Sequence, residues 1–142
     1  MNHEDIINQA HGRPGSDNPR LATQIVGSGR TGVKLELRFQ GRDFLLFITG
    51  GKAHVGAVAV WDGADPESRA VVIELPGHRE GPLAGECAEA LGRASGRTTA
   101  AVVGIHQDNA TLEEIAAIVA NVRQGVATLT KQVAPNQGES DD

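Results

Sequence analysis

Three short segments of the sequence place a histidine just after glycine at the end of a strand-like apolar run. They are Thr49-Gly50-Gly51-Lys52-Ala53-His54, Pro76-Gly77-His78-Arg79 and Gly104-Ile105-His106. Glycine has no Cβ, so a ligand or another backbone can approach closely where such a strand ends. Imidazole nitrogens donate or accept hydrogen bonds and also bind metals. The pattern therefore predicts that three strand ends converge on one ligand pocket.

The first segment is suited to contacting a phosphate. Backbone N–H groups at Gly50 and Gly51, the Thr49 hydroxyl and the Lys52 ammonium can all donate to an anion. The segment is not a P-loop, because the Gly-Lys-Ser/Thr ending and the following helix are missing, and a glycine turn between two strands has the same composition. Arg79 can bind phosphate or carboxylate through two N–H groups, although an arginine followed by glutamate at a helix start is also a common surface pair.

A metal site is the alternative use of His54, His78 and His106. Three histidines can hold a divalent ion and leave one position open for water. No two of them have the i, i+4 spacing of a metalloprotease helix, so the fold would have to assemble the site. Asp108 can orient His106, or can shape a turn together with the next residue. The sequence contains no nucleophile elbow and no convincing serine or cysteine triad, which favours binding over catalysis.

Apolar periodicity predicts the elements that carry these segments. Strict alternation over residues 33–40 predicts a half-buried strand, and the continuous apolar run at 44–48 predicts a central strand covered on both faces, paired with the first as a hairpin. Further strands are predicted at 55–61, 70–75 and 100–105, with a possible first strand at 21–26, and a helix at 81–94. The order β-β-β-β-α-β-α predicts an α/β fold of the α+β type, with two main helices packed on a mostly antiparallel sheet.

The last helix has the clearest signature. Thr111 and Glu114 have capping-box spacing at its start. Apolar residues then recur every three or four positions, at Leu112, Ile115, Val119, Val122, Val126, Leu129 and Val133. A seam this regular packs against the sheet or pairs with a partner helix. Together with a small core and a sequence in which aromatics are only 3% of residues, it favours a homodimer.

Composition excludes several classes of function. The 142 residues are predicted to form a flexible tail at 1–19, a single domain at 20–133 and an acidic disordered tail at 134–142. The net charge of -5 argues against binding to nucleic acids or anionic membranes. A single cysteine, Cys87, excludes an internal disulfide and a cysteine-based zinc site, and its place on an apolar helix face predicts a core residue. The polar start lacks a signal-peptide pattern, which predicts a cytoplasmic protein.

These segments resemble a known family, the small D subunit associated with gallate decarboxylase, which is also described as a prenylated-flavin chaperone. The resemblance rests on Ile48-Thr49-Gly50-Gly51 followed by His54-Val55-Gly56, on Pro76-Gly77-His78, and on Gly104-Ile105-His106 leading into Asp108. It covers residues 33–126 and excludes both tails.

The resemblance implies a dimeric fold similar to proteasome assembly chaperones and a carrier rather than an enzyme. The cargo would be reduced prenylated FMN, and the partner would be the apo form of a decarboxylase that needs this cofactor. Its candidate cofactor-binding residues are Thr49, Gly50, Gly51, His54, His78, Arg79 and His106, with apolar walls from residues such as Phe47, Val58 or Trp61. Two alternatives stay open: a metal-dependent enzyme using His54, His78 and His106, and a protein-assembly chaperone that binds no cofactor.

Overall fold

The computed structural model describes residues 22–134, which form six strands and two α-helices. They are β1 (Ala22–Val26), β2 (Val33–Gln40), β3 (Asp43–Gly51), β4 (Ala57–Trp61), β5 (Val71–Glu74), α1 (Gly81–Ser95), β6 (Thr99–His106) and α2 (Leu112–Val133), with a short 3-10 turn at Gly29–Thr31. The mixed α+β class and the two main helices are as predicted. Apart from Ala134, the predicted tails at 1–19 and 134–142 lie outside the described residues.

All six strands form one sheet in the order β1-β2-β3-β6-β4-β5. The predicted β2–β3 hairpin is present, and the sheet is mostly antiparallel, with β3 and β6 as its one parallel pair. The predicted element order was one strand short, because residues 22–26 pair along their whole length with β2. β1 is a short edge strand in which residues alternate between half-buried and exposed, so its apolar pattern is weak.

Both helices pack on one face of the sheet and form the core with it. Buried strand residues include Leu35, Leu37, Leu46, Ile48, Ala59, Trp61, Ala101 and Val103, and α1 contributes Ala84, Cys87, Ala88 and Leu91. Gly85 and Gly92, which lower the helix propensity of α1, lie at this contact. A Cβ at Gly92 would overlap the Trp61 ring, so glycine lets α1 approach the sheet closely. Cys87 is a core residue, as predicted.

The seam of α2 packs against its own sheet. Val122, Val126 and Leu129 are buried, while Leu112, at the first position of the seam, is 85% exposed. Thr111 and Glu114 form the predicted capping box, with both reciprocal hydrogen bonds at 3.0 Å. Because most of the seam is used within the chain, it no longer argues for pairing with a partner helix. Among the described residues, no helix is both long and apolar enough to cross a membrane.

The opposite face of the sheet, here called the open face, carries neither helix. Its apolar side chains are Leu45, Phe47, Val58, Val60, Val71, Ile73 and Val102. Val71 and Ile73 at the β5 edge are 70% and 65% exposed. The prediction that β3 is covered on both faces is therefore wrong for Leu45 and Phe47, which are half-buried. The continuous apolar run on β3 reflects a sheet that is apolar on both faces.

Candidate functional site

The three histidine segments meet at one edge of the sheet. β3 and β6 run in parallel, and β5 runs in the same direction because it and β6 are both antiparallel to β4. The carboxyl ends of these three strands therefore lie at the same edge. Since β6 lies between β3 and β4, the connection at residues 52–56 must pass across the end of β6. It is held there by hydrogen bonds of 2.9 Å from Lys52 N–H to the His106 carbonyl and from Gly56 N–H to the Val103 carbonyl.

Gly104 allows this crossing. A Cβ at this position would overlap the backbone carbonyl of His54, so only glycine leaves room for the connection to lie directly on β6. Gly51 has a left-handed φ of +59°, and its Cβ would overlap the His106 carbonyl. Gly51 and Gly104 therefore serve close approach of backbone to backbone. This close approach of the 52–56 connection to β6 determines the position of His54.

His54 lies at the centre of the histidine cluster. Its ring centroid is 4.9 Å from that of His78 and 6.3 Å from that of His106. The predicted convergence of three strand ends is thus present in the structure. Sequence spacing alone does not bring these residues together, because they are separated by more than twenty positions and meet only through the strand order.

The hydrogen bonds of the cluster assign the proton on each ring. Nδ1 of His54 lies 2.9 Å from the Lys52 carbonyl, and Nδ1 of His78 lies 2.9 Å from the Pro76 carbonyl. A carbonyl oxygen only accepts, so both Nδ1 atoms carry hydrogen. His106 donates from Nε2 to Asp108 Oδ1 at 2.9 Å. Nε2 of His78 and Nδ1 of His106 make no hydrogen bond with residues 22–134 and are left for a ligand, whereas Nε2 of His54 faces Glu80.

Glu80 is a member of the site that sequence reasoning missed. Its Oε1 lies 3.6 Å from His54 Nε2, and its buried Oε2 has no hydrogen-bond partner among the described residues. The carboxylate occupies the space that a side chain at Gly56 would fill. The sequence offered Arg79 as a ligand-binding residue or as half of a surface pair with Glu80. In the structure Arg79 is exposed, and Glu80 is half-buried with its Oε2 atom buried. In the sequence, the one indication that another side chain lies here was Gly56, the glycine two positions after His54.

Asp108 joins His106 to a network of charges. It receives a hydrogen bond from Lys52 Nζ at 2.7 Å as well as the one from His106, and these two bonds lower the pKa of Asp108. Arg30 donates to the Asp108 carbonyl at 2.7 Å and forms an ion pair with Glu114 at 2.6 Å, which lowers the pKa of Glu114. Asp108 therefore orients His106, one of its two predicted uses. The network links the 3-10 turn to the ends of β3 and β6 and the start of α2.

The other predicted site residues lie around this cluster. Arg79 is exposed and makes no hydrogen bond or ion pair with residues 22–134. Lys52 is engaged by Asp108, so its charge is partly neutralised. Phe47 and Val58 lie on the open face, but Trp61 is not a pocket wall. Trp61 is 2% exposed, donates to the Ser68 carbonyl at 3.0 Å and belongs to the core.

A second concave feature lies beside the connection at residues 52–56. This cleft of about 300 Å³, here called the Ser28 cleft, is lined chiefly by Ser28, Gly29, Lys34, Thr49, Gly51 and Ala53. Gly50 also lines it, so the predicted Thr49-Gly50-Gly51 segment faces this cleft. Gly51 and Ala53 precede His54 directly. The cleft and the histidine cluster therefore share one segment of backbone.

The metal-site alternative lacks the required geometry. Within residues 22–134, no group of three or more His, Cys, Asp or Glu side chains is arranged to hold a metal ion. The His106 Nε2 atom is directed to Asp108, and His54 Nε2 faces Glu80. The three imidazoles do not present their free nitrogens to one common point as a three-histidine site requires.

Comparison with known protein families identifies a match over most of the chain. The model of the family described as the prenylated flavin chaperone LpdD-like domain matches residues 27–134, which is more than half of the chain and includes every residue of the histidine cluster. No curated protein matches the sequence significantly. The resemblance inferred from the glycine–histidine segments is therefore confirmed, and the chain belongs to the family of prenylated flavin chaperone LpdD-like domains.

Proposed function

We propose that this chain binds reduced prenylated FMN at the sheet edge formed by β3, β5 and β6 and delivers it to an apo-decarboxylase. The observation that carries the proposal is the gathering of His54, His78 and His106 around a backbone crossing that glycines make possible. The residues at this edge fit such a cargo. Ring nitrogens that accept hydrogen bonds suit the polar edge of a flavin, and Phe47 and Val58 on the adjoining open face offer apolar contact.

Each candidate residue has a distinct task in this proposal. His78 hydrogen-bonds the cargo through Nε2, and His106, held by Asp108, does so through Nδ1, while His54, whose Nε2 faces Glu80, contacts the cargo through its ring. Thr49, Gly50 and Gly51 contact the phosphate end of the cargo from the wall of the Ser28 cleft. Arg79, exposed beside His78, adds a mobile positive charge at the rim.

The chain acts as a carrier in this proposal, without a reaction of its own. Bound to its partner enzyme, the cofactor supplies the decarboxylation chemistry, so the carrier has only to hold, shelter and release it. Exposed hydrogen-bonding groups at a sheet edge suit release, because a partner can reach them without unfolding the carrier. The cytoplasmic location stays a prediction from the sequence.

A maturation assay tests the proposal. Apo-decarboxylase is mixed anaerobically with reduced prenylated FMN and catalytic amounts of the chain, and recovered decarboxylase activity is measured. We expect His54→Ala and Arg79→Ala each to slow maturation at least about fivefold, with Arg42→Ala as the matched control because Arg42 is also exposed but lies at the opposite end of β3. Full maturation rates with both site variants would show that the histidine cluster is not the mechanism and would favour the protein-assembly chaperone.

We propose further that the chain is a homodimer in which a second copy covers the β5 edge of the open face and leaves the histidine cluster and the Ser28 cleft accessible. This face, and not the α2 seam, is the apolar surface left over by the fold, with Val60, Val71 and Ile73 at least 41% exposed.

Light scattering tests the dimer. We expect twice the chain mass across micromolar dilutions and a monomer for Ile73→Asp, with Leu112→Asp as the control because Leu112 is equally apolar and exposed but lies on α2. A monomeric mass for the wild-type chain over that range would overturn the dimer and leave the cargo site unaffected.

A further inference from the structure

We propose that the Ser28 cleft is the phosphate subsite, and that Ser28 and Lys34, two residues outside the glycine–histidine segments, bind the phosphate of the cargo together with Thr49. The proposal rests on the proposed function, which supplies the phosphorylated ligand. It places the phosphate on the β2 side of the 52–56 connection, away from Lys52 and Arg79.

Two hydroxyl groups in the cleft are uncommitted. Ser28 precedes the 3-10 turn at Gly29–Thr31 but makes no capping hydrogen bond to it. The Thr49 hydroxyl likewise makes no hydrogen bond with residues 22–134, and it is not buried. A hydroxyl donates readily to a phosphate oxygen and costs little to desolvate at an open cleft. Both groups are therefore available to an anion.

Lys34 supplies the positive charge. Its Nζ lies 2.9 Å from Glu36, whose carboxylate also accepts from Arg38 at 3.4 Å. These two cations lower the pKa of Glu36, the hydrogen bond from Lys34 having the largest effect. Since Arg38 remains beside Glu36, Lys34 can turn to a phosphate without leaving the carboxylate unpaired. Lys34 is the charged residue among those that line the cleft.

Two other basic residues near the cleft are already paired with carboxylates. Lys52 is paired with Asp108 at 2.7 Å, and Arg30 with Glu114 at 2.6 Å. Backbone access favours the cleft as well, because a Cβ at Gly29 would meet nothing within 4 Å, which leaves open space for a ligand. A phosphate bound here lies against Gly51 and Ala53, and the next residue is His54. The rest of the ligand can therefore reach the histidine cluster.

The test compares reduced prenylated FMN with the same ligand after enzymatic removal of its phosphate, titrated anaerobically into the full chain. We expect Lys34→Gln to weaken binding of the phosphorylated ligand about tenfold or more, and Ser28→Ala combined with Thr49→Val to weaken it similarly. The dephosphorylated ligand should bind the wild-type chain and the variants equally. Arg38→Gln is the matched control, because Arg38 lies on the same face of β2 and pairs with the same Glu36.

Equal losses for Lys34→Gln and Arg38→Gln, or losses that persist without the phosphate, would overturn the subsite while leaving cargo binding intact. If the wild-type chain binds neither ligand, the proposed function fails, and titration with inorganic phosphate followed by amide NMR still tests the cleft. Saturable shifts at the amides of Ser28 and Thr49 would support an anion site. Their absence would overturn it.

Discussion

Replacing Gly104 with alanine should displace His54. The variant therefore tests whether the backbone crossing over β6 positions this histidine for the cargo. An unstrained contact between carbon and a carbonyl oxygen is about 3.3 Å. The added Cβ would lie at less than half that distance from the His54 oxygen, so the connection at 52–56 must lift by about 2 Å. Two hydrogen bonds of 2.9 Å, made by the N–H groups of Lys52 and Gly56, then break.

At about 1 kcal/mol each, these bonds predict that Gly104→Ala lowers the free energy of unfolding by about 2 kcal/mol, with a small offset because alanine restricts the unfolded chain. Cargo affinity should fall at least about tenfold, because His54 leaves its place beside His78. Denaturant titration and anaerobic ligand titration measure the two effects.

Gly41→Ala is the control for this variant. Gly41 lies in the β2–β3 turn at the other end of the sheet, and a Cβ there meets nothing within 4 Å. Its left-handed φ of +60° predicts a loss of stability of about 1 kcal/mol without any loss of cargo affinity. If Gly104→Ala were as stable as the wild-type chain and bound cargo equally well, the described crossing of His54 over β6 would be refuted.

Three further predictions concern stability and reactivity. Burial raises the pKa of the Cys87 thiol to about 12. A thiol reagent at pH 8 should therefore label Cys87 only as fast as the chain unfolds. Immediate labelling of the folded chain would contradict this. Thr111→Ala removes the α2 cap and should lower the free energy of unfolding by about 1 kcal/mol, measured by denaturant titration. Thr128→Ala within the same helix should leave the free energy of unfolding nearly unchanged. Equal losses for the two variants would exclude a capping effect. The pKa of Asp108 is lowered below 3.8 in the folded chain, so its carboxylate stabilises the fold above that pH and loses this effect as the pH falls further. Asp108→Asn should accordingly be less stable than the wild-type chain at pH 7, and the difference should shrink below pH 3.8; a constant difference at all pH values would contradict the ionic role.

Local elements of the fold could be predicted from sequence because local rules determine them. The capping box at Thr111 and Glu114 and the β2–β3 hairpin both follow from residues close together in the chain. The insertion of β6 between β3 and β4 could not be predicted, because strand order depends on contacts between distant segments. The open face was missed for the same reason. An apolar run such as 44–48 shows that both faces of the strand are apolar. It does not show which of the two faces the helices cover.

The site was predicted in part. The glycine–histidine pattern predicted that His54, His78 and His106 come together, and Gly51 and Gly104 are the glycines of these segments that permit a close approach of backbone. Glu80 was missed because its burial depends on the space above Gly56, which only the fold creates. Trp61 was misplaced because alternation along β4 gives two faces and the sequence does not say which one meets α1.

The central claim is that this chain carries reduced prenylated FMN at the histidine cluster. Its most direct test is anaerobic titration of the wild-type chain and His54→Ala with reduced prenylated FMN, using oxidised prenylated FMN and plain FMN as controls. The account predicts saturable binding of the reduced prenylated ligand, tighter than that of either control, and weakened at least about tenfold by the substitution. No binding by the wild-type chain, or equal binding by His54→Ala, would contradict it.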